Sequence, residues 1–385
     1  MSSGGKFLVL YASFGSGHER AAHAVRDGIL KIHPGAQADV LDYFLFTNPT
    51  LYNLVRKTYL QSLRVAPGLW GRFYHRTSHV SGRSPINKIL NKIGRKNFID
   101  YLCLTTPDAV ITTYPVPAGV LSDLKGRGLF NTPVVTAITD FGIHSQWLHP
   151  HTDLYLVGTG LMKENLVERG IPAEKIFVSG IPVSPVFNEQ PDKSSLYTKL
   201  GLNPAIPTVL ILGGAPGFLT GMTNVCSRLA QAPVDLQLLV VCGRDTGMYN
   251  EFLNTVKTQR NCVKIFPFVN NIHELMTVSD LAVTKAGGLT VSEALAKRLP
   301  MVIFRPLPGQ EEENTRYLTE SGAALAVKTE TQQLADTILS LINEPPRLKA
   351  MAAAADSIRQ ADSASRAAQK IGSLMNNFSR SSRNY

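Results

Sequence analysis

Short, continuous apolar runs alternate along the chain with longer stretches in which apolar positions recur every three or four residues. Runs of the first kind predict strands buried on both faces, and the second kind predicts helices with one apolar side. Phe7–Ala12 is the first run, followed by the glycine-bearing stretch Ser13–His18. Ala22, Val25, Ile29 and Ile32 then share one face of a helix predicted over Glu19–Ile32. Further strands are predicted at Ala38–Leu41, Ala109–Thr113, Val134–Ile138, Leu154–Gly158 and Ile176–Ser179.

Gly180-Ile181-Pro182-Val183-Ser184-Pro185 interrupts this rhythm and reads as a crossover. The alternation then resumes. Strands are predicted at Thr208–Leu212, Leu236–Val241, Lys264–Phe266, Leu281–Thr284 and Met301–Phe304. Helices are predicted over Thr220–Gln231, Met248–Gln259, Ile272–Val278, Leu289–Ala296, Glu311–Ser321, Leu334–Ile342 and Leu348–Ile358. Repeated strand–helix alternation builds parallel sheets covered by helices. Two such sheets make a two-domain α/β protein, with an N-terminal domain over 1–183 and a C-terminal domain over 184–358. A tail follows over 359–385, and its last dozen residues, rich in Ser, Arg and Asn, are expected to fray.

Charge changes this picture in one place. The 385 residues hold 39 Lys and Arg against 29 Asp and Glu, a net charge of +10. Residues 51–99 contain ten of the basic residues and no acidic one, so the rest of the chain is electrically balanced. A histone-like protein, basic throughout, is thereby excluded. With 44% hydrophobic and 18% charged residues the chain is globular. The four cysteines show no CxxC spacing, which fits buried thiols in a reducing compartment. Only Lys6 precedes the first apolar run, which reads as a strand and not as a secretion signal. No apolar stretch reaches the roughly 18 residues of a spanning helix. A soluble or peripheral cytosolic protein is expected.

Five motifs can carry chemistry. Gly15-Ser16-Gly17-His18 joins a strand to a helix, where free N–H groups favour polar oxygens. Arg20 stands where a dinucleotide fingerprint needs its third glycine, so a bound dinucleotide is disfavoured. His18 suits proton abstraction from a hydroxyl near neutral pH; a turn histidine capping a helix is the other reading of the loop. Thr139-Asp140-Phe141-Gly142-Ile143-His144, with Trp147 beyond, begins at a strand end. Asp140 can orient a histidine or cap a helix there, and His144 and Trp147 can line a cleft or belong to the core. Gly213-Gly214-Ala215-Pro216-Gly217 looks like a phosphate-approach loop without the Lys-Ser/Thr of a P-loop.

The fourth motif runs Thr284-Lys285-Ala286-Gly287-Gly288-Leu289-Thr290-Val291-Ser292-Glu293. Two glycines turn the chain into a helix whose N-terminus offers N–H groups to a diphosphate, and Glu293 can take ribose hydroxyls. In the fifth, Gln310 and Glu311 set an amide beside a carboxylate, with Asn314 one turn on. That pair suits neighbouring sugar hydroxyls; an acidic helix start, Glu311-Glu312-Glu313, accounts for it as well. There is no HExxH, Cys/His cluster or Asp-x-Asp pair, so no protein-bound metal and no cofactor is expected. A departing diphosphate would then be stabilised by helix N–H groups.

Taken in order, these motifs resemble the glycosyltransferases that include monogalactosyldiacylglycerol synthases and, most nearly, bacterial processive diacylglycerol glucosyltransferases. The lipid II-forming N-acetylglucosaminyl transferases are more distant. The resemblance spans about residues 7–360, with Ala286 replacing the proline of many relatives. It implies a GT-B fold, two Rossmann-like domains facing a cleft, with UDP-sugar as co-substrate. By the same resemblance Phe268 and Val269 would hold uracil. Gly287, Gly288, Leu289 and Thr290 would cradle the diphosphate, Glu293 the ribose, and Gln310 and Glu311 the sugar. His18 would be the general base, with Asp140 and His144 as helpers or rivals, and transfer would invert the anomeric carbon.

The basic stretch then gains an expected role. Leu51, Leu54, Val55, Tyr59 and Leu63 follow helical spacing beside Arg56, Lys57 and Arg64. Trp70 and Phe73 lie among Arg72, Arg76 and Arg83. This is the composition of a helix lying in a lipid headgroup region, each basic residue adding on the order of 1 kcal/mol near an anionic surface. Diacylglycerol and anionic phospholipid at the cytoplasmic face of the membrane are the expected partners. Two other readings are a lipid II-type transferase and a non-catalytic binder of nucleic acid or anionic surfaces; no groove-reading motif supports the latter.

Overall fold

The computed structural model describes residues 4–13, 15–50, 52, 95–213, 218–256 and 260–381. The chain divides into two compact units. The first comprises Met1–Pro185 and Gln360–Tyr385, the second Val186–Arg359.

The first unit is built on six parallel strands: β1 Lys6–Tyr11, β2 Gln37–Asp42, β3 Ala109–Thr112, β4 Val134–Ala137, β5 Leu154–Val157 and β6 Ile176–Val178. They lie in the order β2-β1-β3-β4-β5-β6. Helices α1 Ser16–Ile32, α2 Tyr43–Thr47, α3 Arg95–Thr105, α4 Pro115–Gly126 and α5 Gly160–Glu168 connect them. Phe7, Val9, Ala22, Val25, Ile29 and Ile111 fill one face, and Leu8, Leu10, Phe98, Leu121 and Leu124 the other. Burial on both faces explains why these strands read as unbroken apolar runs.

The second unit repeats the plan with β7 Thr208–Leu212, β8 Gln237–Val241, β9 Cys262–Phe266, β10 Leu281–Thr284, β11 Met301–Phe304 and β12 Ala324–Val327. Their order is β12-β11-β10-β7-β8-β9, all parallel. The helices here are α6 Lys193–Leu200, α7 Met222–Gln231, α8 Thr246–Thr255, α9 Ile272–Thr277, α10 Gly288–Ala296, α11 Gln310–Glu320, α12 Thr331–Asn343 and α13 Pro345–Ile358.

Three expectations change. The stretch 13–18 is not all loop: α1 begins at Ser16, so Gly17 and His18 lie in its first turn. β12 is an additional edge strand. The last dozen residues do not fray as far as Ser381, because Ser363–Ser381 forms a helix, α14, that packs along α1. Ala367, Ala368 and Ile371 of α14 are buried in the core of the first unit. Burying Ile371 alone is worth about 1.5–3 kcal/mol. The basic stretch, with Trp70, Arg72, Phe73, Arg76 and Arg83, lies outside the described residues apart from Tyr52 and its last part in α3, as does Gly214.

Candidate active site

In an open parallel sheet the strand order reverses at one point, and the loops leaving the strands there diverge to opposite faces, opening a crevice at their carboxyl ends. In the first unit that point lies between β1 and β3. The turn after β1 leads to His18 and the turn after β3 carries Thr113 and Tyr114.

His18 is anchored by both. Its Nδ1 lies 2.7 Å from the carbonyl oxygen of Thr113 and 3.0 Å from Thr139 Oγ1. The Thr113 hydroxyl donates to the His18 carbonyl at 2.9 Å. A carbonyl can only accept, so the ring proton is assigned to Nδ1 and the Nε2 lone pair is left for chemistry. The ring meets Tyr114 edge-on at 4.9 Å and lies 6.3 Å from the Trp147 ring. Burial lowers the imidazole pKa from 6.5 to about 4, the bond to Thr113 opposing the shift. His18 is therefore neutral at physiological pH.

Asp140 is buried at the end of β4, in the same region as Thr139. The Thr113 carbonyl and the Thr139 hydroxyl meet the His18 ring at Nδ1. His144 caps the short helical turn Ser145–Trp147, its Nδ1 accepting from Gln146 N at 3.2 Å. That lone pair is engaged, which makes His144 a weaker candidate for the base. Trp147 is a core residue, packed with Ile138, Ile143 and Tyr155. Gly15 precedes α1 in extended backbone, and a Cβ there would meet nothing within 4 Å. Space is open at the start of this helix.

In the second unit the order reverses between β7 and β10. Gly213 follows β7. A Cβ there would lie 2.5 Å from Leu219 Cδ1 and 2.7 Å from the Val241 carbonyl oxygen, so packing alone demands glycine. After β10, Lys285, Ala286 and Gly287 turn into α10, whose first residues are Gly288, Leu289 and Thr290. A side chain at Gly287 would meet nothing within 4 Å, so the N-terminus of α10 is approachable. Glu293 is buried in the second turn of this helix.

The turn is held from behind. Asn314 is 0% exposed and its Nδ2 donates to the Ala286 carbonyl at 2.8 Å. Glu311 is buried, and its Oε2 accepts from Leu307 N at 2.7 Å. Asn314 and Glu311 thus shape the loops, and Gln310, at the first position of α11, remains part-exposed. Gly309 before it has φ +97°, a conformation that favours glycine. The Lys285 ammonium is lowered in pKa chiefly by burial; Glu311 opposes the shift and Arg305 adds to it.

Phe268, beyond the end of β9, is 53% exposed and offers a ring face on which a planar base could stack. The Arg244 guanidinium, beyond the neighbouring strand β8, lies 5.2 Å from its centroid. Val269 beside it is half-buried. Among the described residues no three His, Cys, Asp or Glu side chains gather as a metal-holding group, and no helix is long and apolar enough to cross a membrane.

Two family models match the chain: monogalactosyldiacylglycerol (MGDG) synthase over residues 18–183, and the glycosyltransferase family 28 C-terminal domain over 208–371. A processive diacylglycerol beta-glucosyltransferase of Bacillus cereus is 32% identical over 92% of this chain and 89% of its own. One from Bacillus cytotoxicus is 31% identical with the same coverage. The chain belongs to the processive diacylglycerol beta-glucosyltransferase family.

Within this family fold the solved structures are more distant in sequence. MurG of Acinetobacter baumannii has a TM-score of 0.64 at 19% identity, covering 97% of this chain and 99% of that one. Anabaena Alr3699/HepE, solved in complex with UDP-glucose, has a TM-score of 0.56 at 16% identity, covering 97% and 100%. The UDP-GlcNAc 2-epimerase of Neisseria meningitidis, bound to UDP-GlcNAc, has a TM-score of 0.60 at 15% identity, with the same coverage. These likenesses establish the GT-B architecture; epimerases share it, so the chemistry rests on the site and on the family.

Asp42 and Ser13, which sequence reasoning passed over, also belong to the region before His18. Ser13 Oγ donates to Asp42 Oδ2 at 2.6 Å. An Asp directly before Tyr-Phe-Leu-Phe is a helix-start signal that could have marked Asp42.

Proposed function

We propose that the protein transfers a hexose, glucose, from UDP-glucose to the free hydroxyl of diacylglycerol with inversion, and can extend the product by further transfers. The observation that carries this reading is His18. It is a neutral imidazole with Nδ1 tethered and the Nε2 lone pair available, at the switch point of the first unit in a chain of this family.

In the proposed step, Nε2 takes the proton of the acceptor hydroxyl. The hydroxyl oxygen bonds to the anomeric carbon as the bond from that carbon to the UDP oxygen breaks, and UDP leaves with the electron pair. The N–H groups opening α10 and the Lys285 ammonium meet the growing charge on the diphosphate. Phe268 stacks on the uracil, with Val269 beside it. Glu293 serves the ribose, and Gln310 the sugar. Charge supplied in this way requires no metal bound to the protein, so transfer should continue in EDTA.

Because diacylglycerol stays in the bilayer, the enzyme must work at its surface. The acid-free stretch 51–99 supports peripheral attachment to anionic lipid at the cytoplasmic face.

The reading is tested by incubating the protein with labelled UDP-glucose or UDP-galactose and diacylglycerol vesicles, followed by mass spectrometry of the lipids. Glucosylated diacylglycerol is expected. Absence of label in lipid with every UDP-sugar would overturn the proposal. Transfer to an undecaprenyl-linked acceptor, but not to diacylglycerol, would replace it with the lipid II-type reaction.

A further inference from the structure

The carboxylate of Asp42 accepts four hydrogen bonds. Oδ1 takes the N–H groups of Phe44 and Leu45, each at 3.1 Å, and so caps α2. Oδ2 takes both the N–H of Ser13 at 3.2 Å and its hydroxyl at 2.6 Å. Asp42 is 7% exposed. Four donors thus converge on its two oxygens.

Capping α2 uses only one of these oxygens. The other reaches 29 residues back along the chain to the turn between β1 and α1. The remaining polar group of Ser13, its carbonyl, accepts from the hydroxyl of buried Tyr52 at 3.4 Å. Ser13 is thus held by Asp42, at the end of β2, and by Tyr52 beyond it, while its side chain also meets Tyr11 of β1. Ser13 precedes the first turn of α1, which carries His18, and no side chain caps the N-terminus of that helix. Ser13 lies three residues before α1, so holding it constrains where the helix can start.

We propose that Asp42 is a positioning residue for the reaction: through Ser13 it fixes where the first turn of α1 places His18. This rests on the reading of His18 as the base.

The test compares Asp42→Asn and Ser13→Ala with the wild type, and each again in the His18→Ala background. Asp42→Asn puts an amide NH₂ where an oxygen accepted. It should lower kcat about tenfold or more while leaving the UDP Kd unchanged. Ser13→Ala removes the hydroxyl bond and leaves both caps of α2, so it should give a smaller loss of kcat with an unchanged Tm. In the His18→Ala background neither change should reduce kcat further. Independently of activity, amide exchange over residues 11–18 should accelerate in Asp42→Asn and stay unchanged over α10.

Multiplicative losses in the double variants, or unchanged exchange over 11–18, would overturn the proposal. Should Asp42→Asn fail to fold, seen as loss of UDP binding, Ser13→Ala decides by the same double-variant comparison. A wild type that transfers no hexose would overturn the catalytic reading instead, and the exchange experiment would still decide whether Asp42 holds the turn.

Discussion

The Nδ1 atom of His18 lies 2.7 Å from the carbonyl oxygen of Thr113. One contact joins the helix after β1 to the turn after β3 and selects which ring nitrogen is free. With the pKa lowered to about 4, the free-enzyme acid limb of kcat/KM should fall well below the ordinary histidine range, with the plateau kept down to about pH 5. A limb near 6.5 would show that another group is the base. His18→Ala should lower kcat by about 10²- to 10⁴-fold.

The same depression has a consequence for stability. In the unfolded chain His18 titrates near 6.5 and in the fold at about 4, so the unfolded state binds more protons between those values. Its contribution is complete above 6.5 and is lost as pH falls toward 4. Denaturant titrations of wild type and His18→Gln should diverge across that interval, and parallel curves would contradict the assignment.

Asn314→Ala removes the amide that holds the Ala286 carbonyl and leaves that buried oxygen without its donor. The expected loss is about 1–3 kcal/mol in stability. Because the turn leading into α10 loosens, weaker UDP binding should accompany it. Calorimetric titration with UDP measures the second effect, and an unchanged Kd would separate Asn314 from the donor turn.

Phe268→Ala should cost almost no stability, since the ring is exposed, yet should weaken UDP binding. Base–aromatic stacking is worth about 1–3 kcal/mol, roughly a 5- to 150-fold change in Kd. Arg244→Ala should give a smaller effect in the same direction by freeing the ring it flanks. Full UDP affinity in Phe268→Ala would remove the ring from the nucleobase site.

Neutralising Arg72, Arg76 and Arg83 together should reduce sedimentation with anionic vesicles and leave UDP binding intact. The vesicle effect should shrink with salt, as expected for surface charges. Equal loss of both activities would point to a folding defect and count against a lipid-facing role.

The strands were legible because Val9, Leu10, Val209 and Leu210 are buried on both faces of their sheets and leave unbroken apolar runs. β12 was not, because at the sheet edge Leu325 is only partly covered and Ala326 is exposed, and the run is short. α14 hid behind its composition. Its buried positions are Ala364, Ala367, Ala368 and Ile371, a helical spacing made mostly of small residues in a Ser- and Arg-rich context. At the sites, His18 and the Lys285–Gly288 turn stood out by local motif. The role of Asn314 did not, because its partner is Ala286, 28 residues away. Asp42 was missed for the same reason.

α14 lies at the C-terminus and completes the core of the N-terminal unit. A Cβ on Gly28 of α1 would come within 2.4 Å of the Ala364 carbonyl oxygen, so the two helices meet nearly backbone to backbone. During synthesis residues 186–359 emerge before α14 does, although domains ordinarily finish in the order in which they are made. The second unit can therefore complete its fold first. The unit carrying His18 waits, with part of α1 uncovered, until α14 leaves the ribosome.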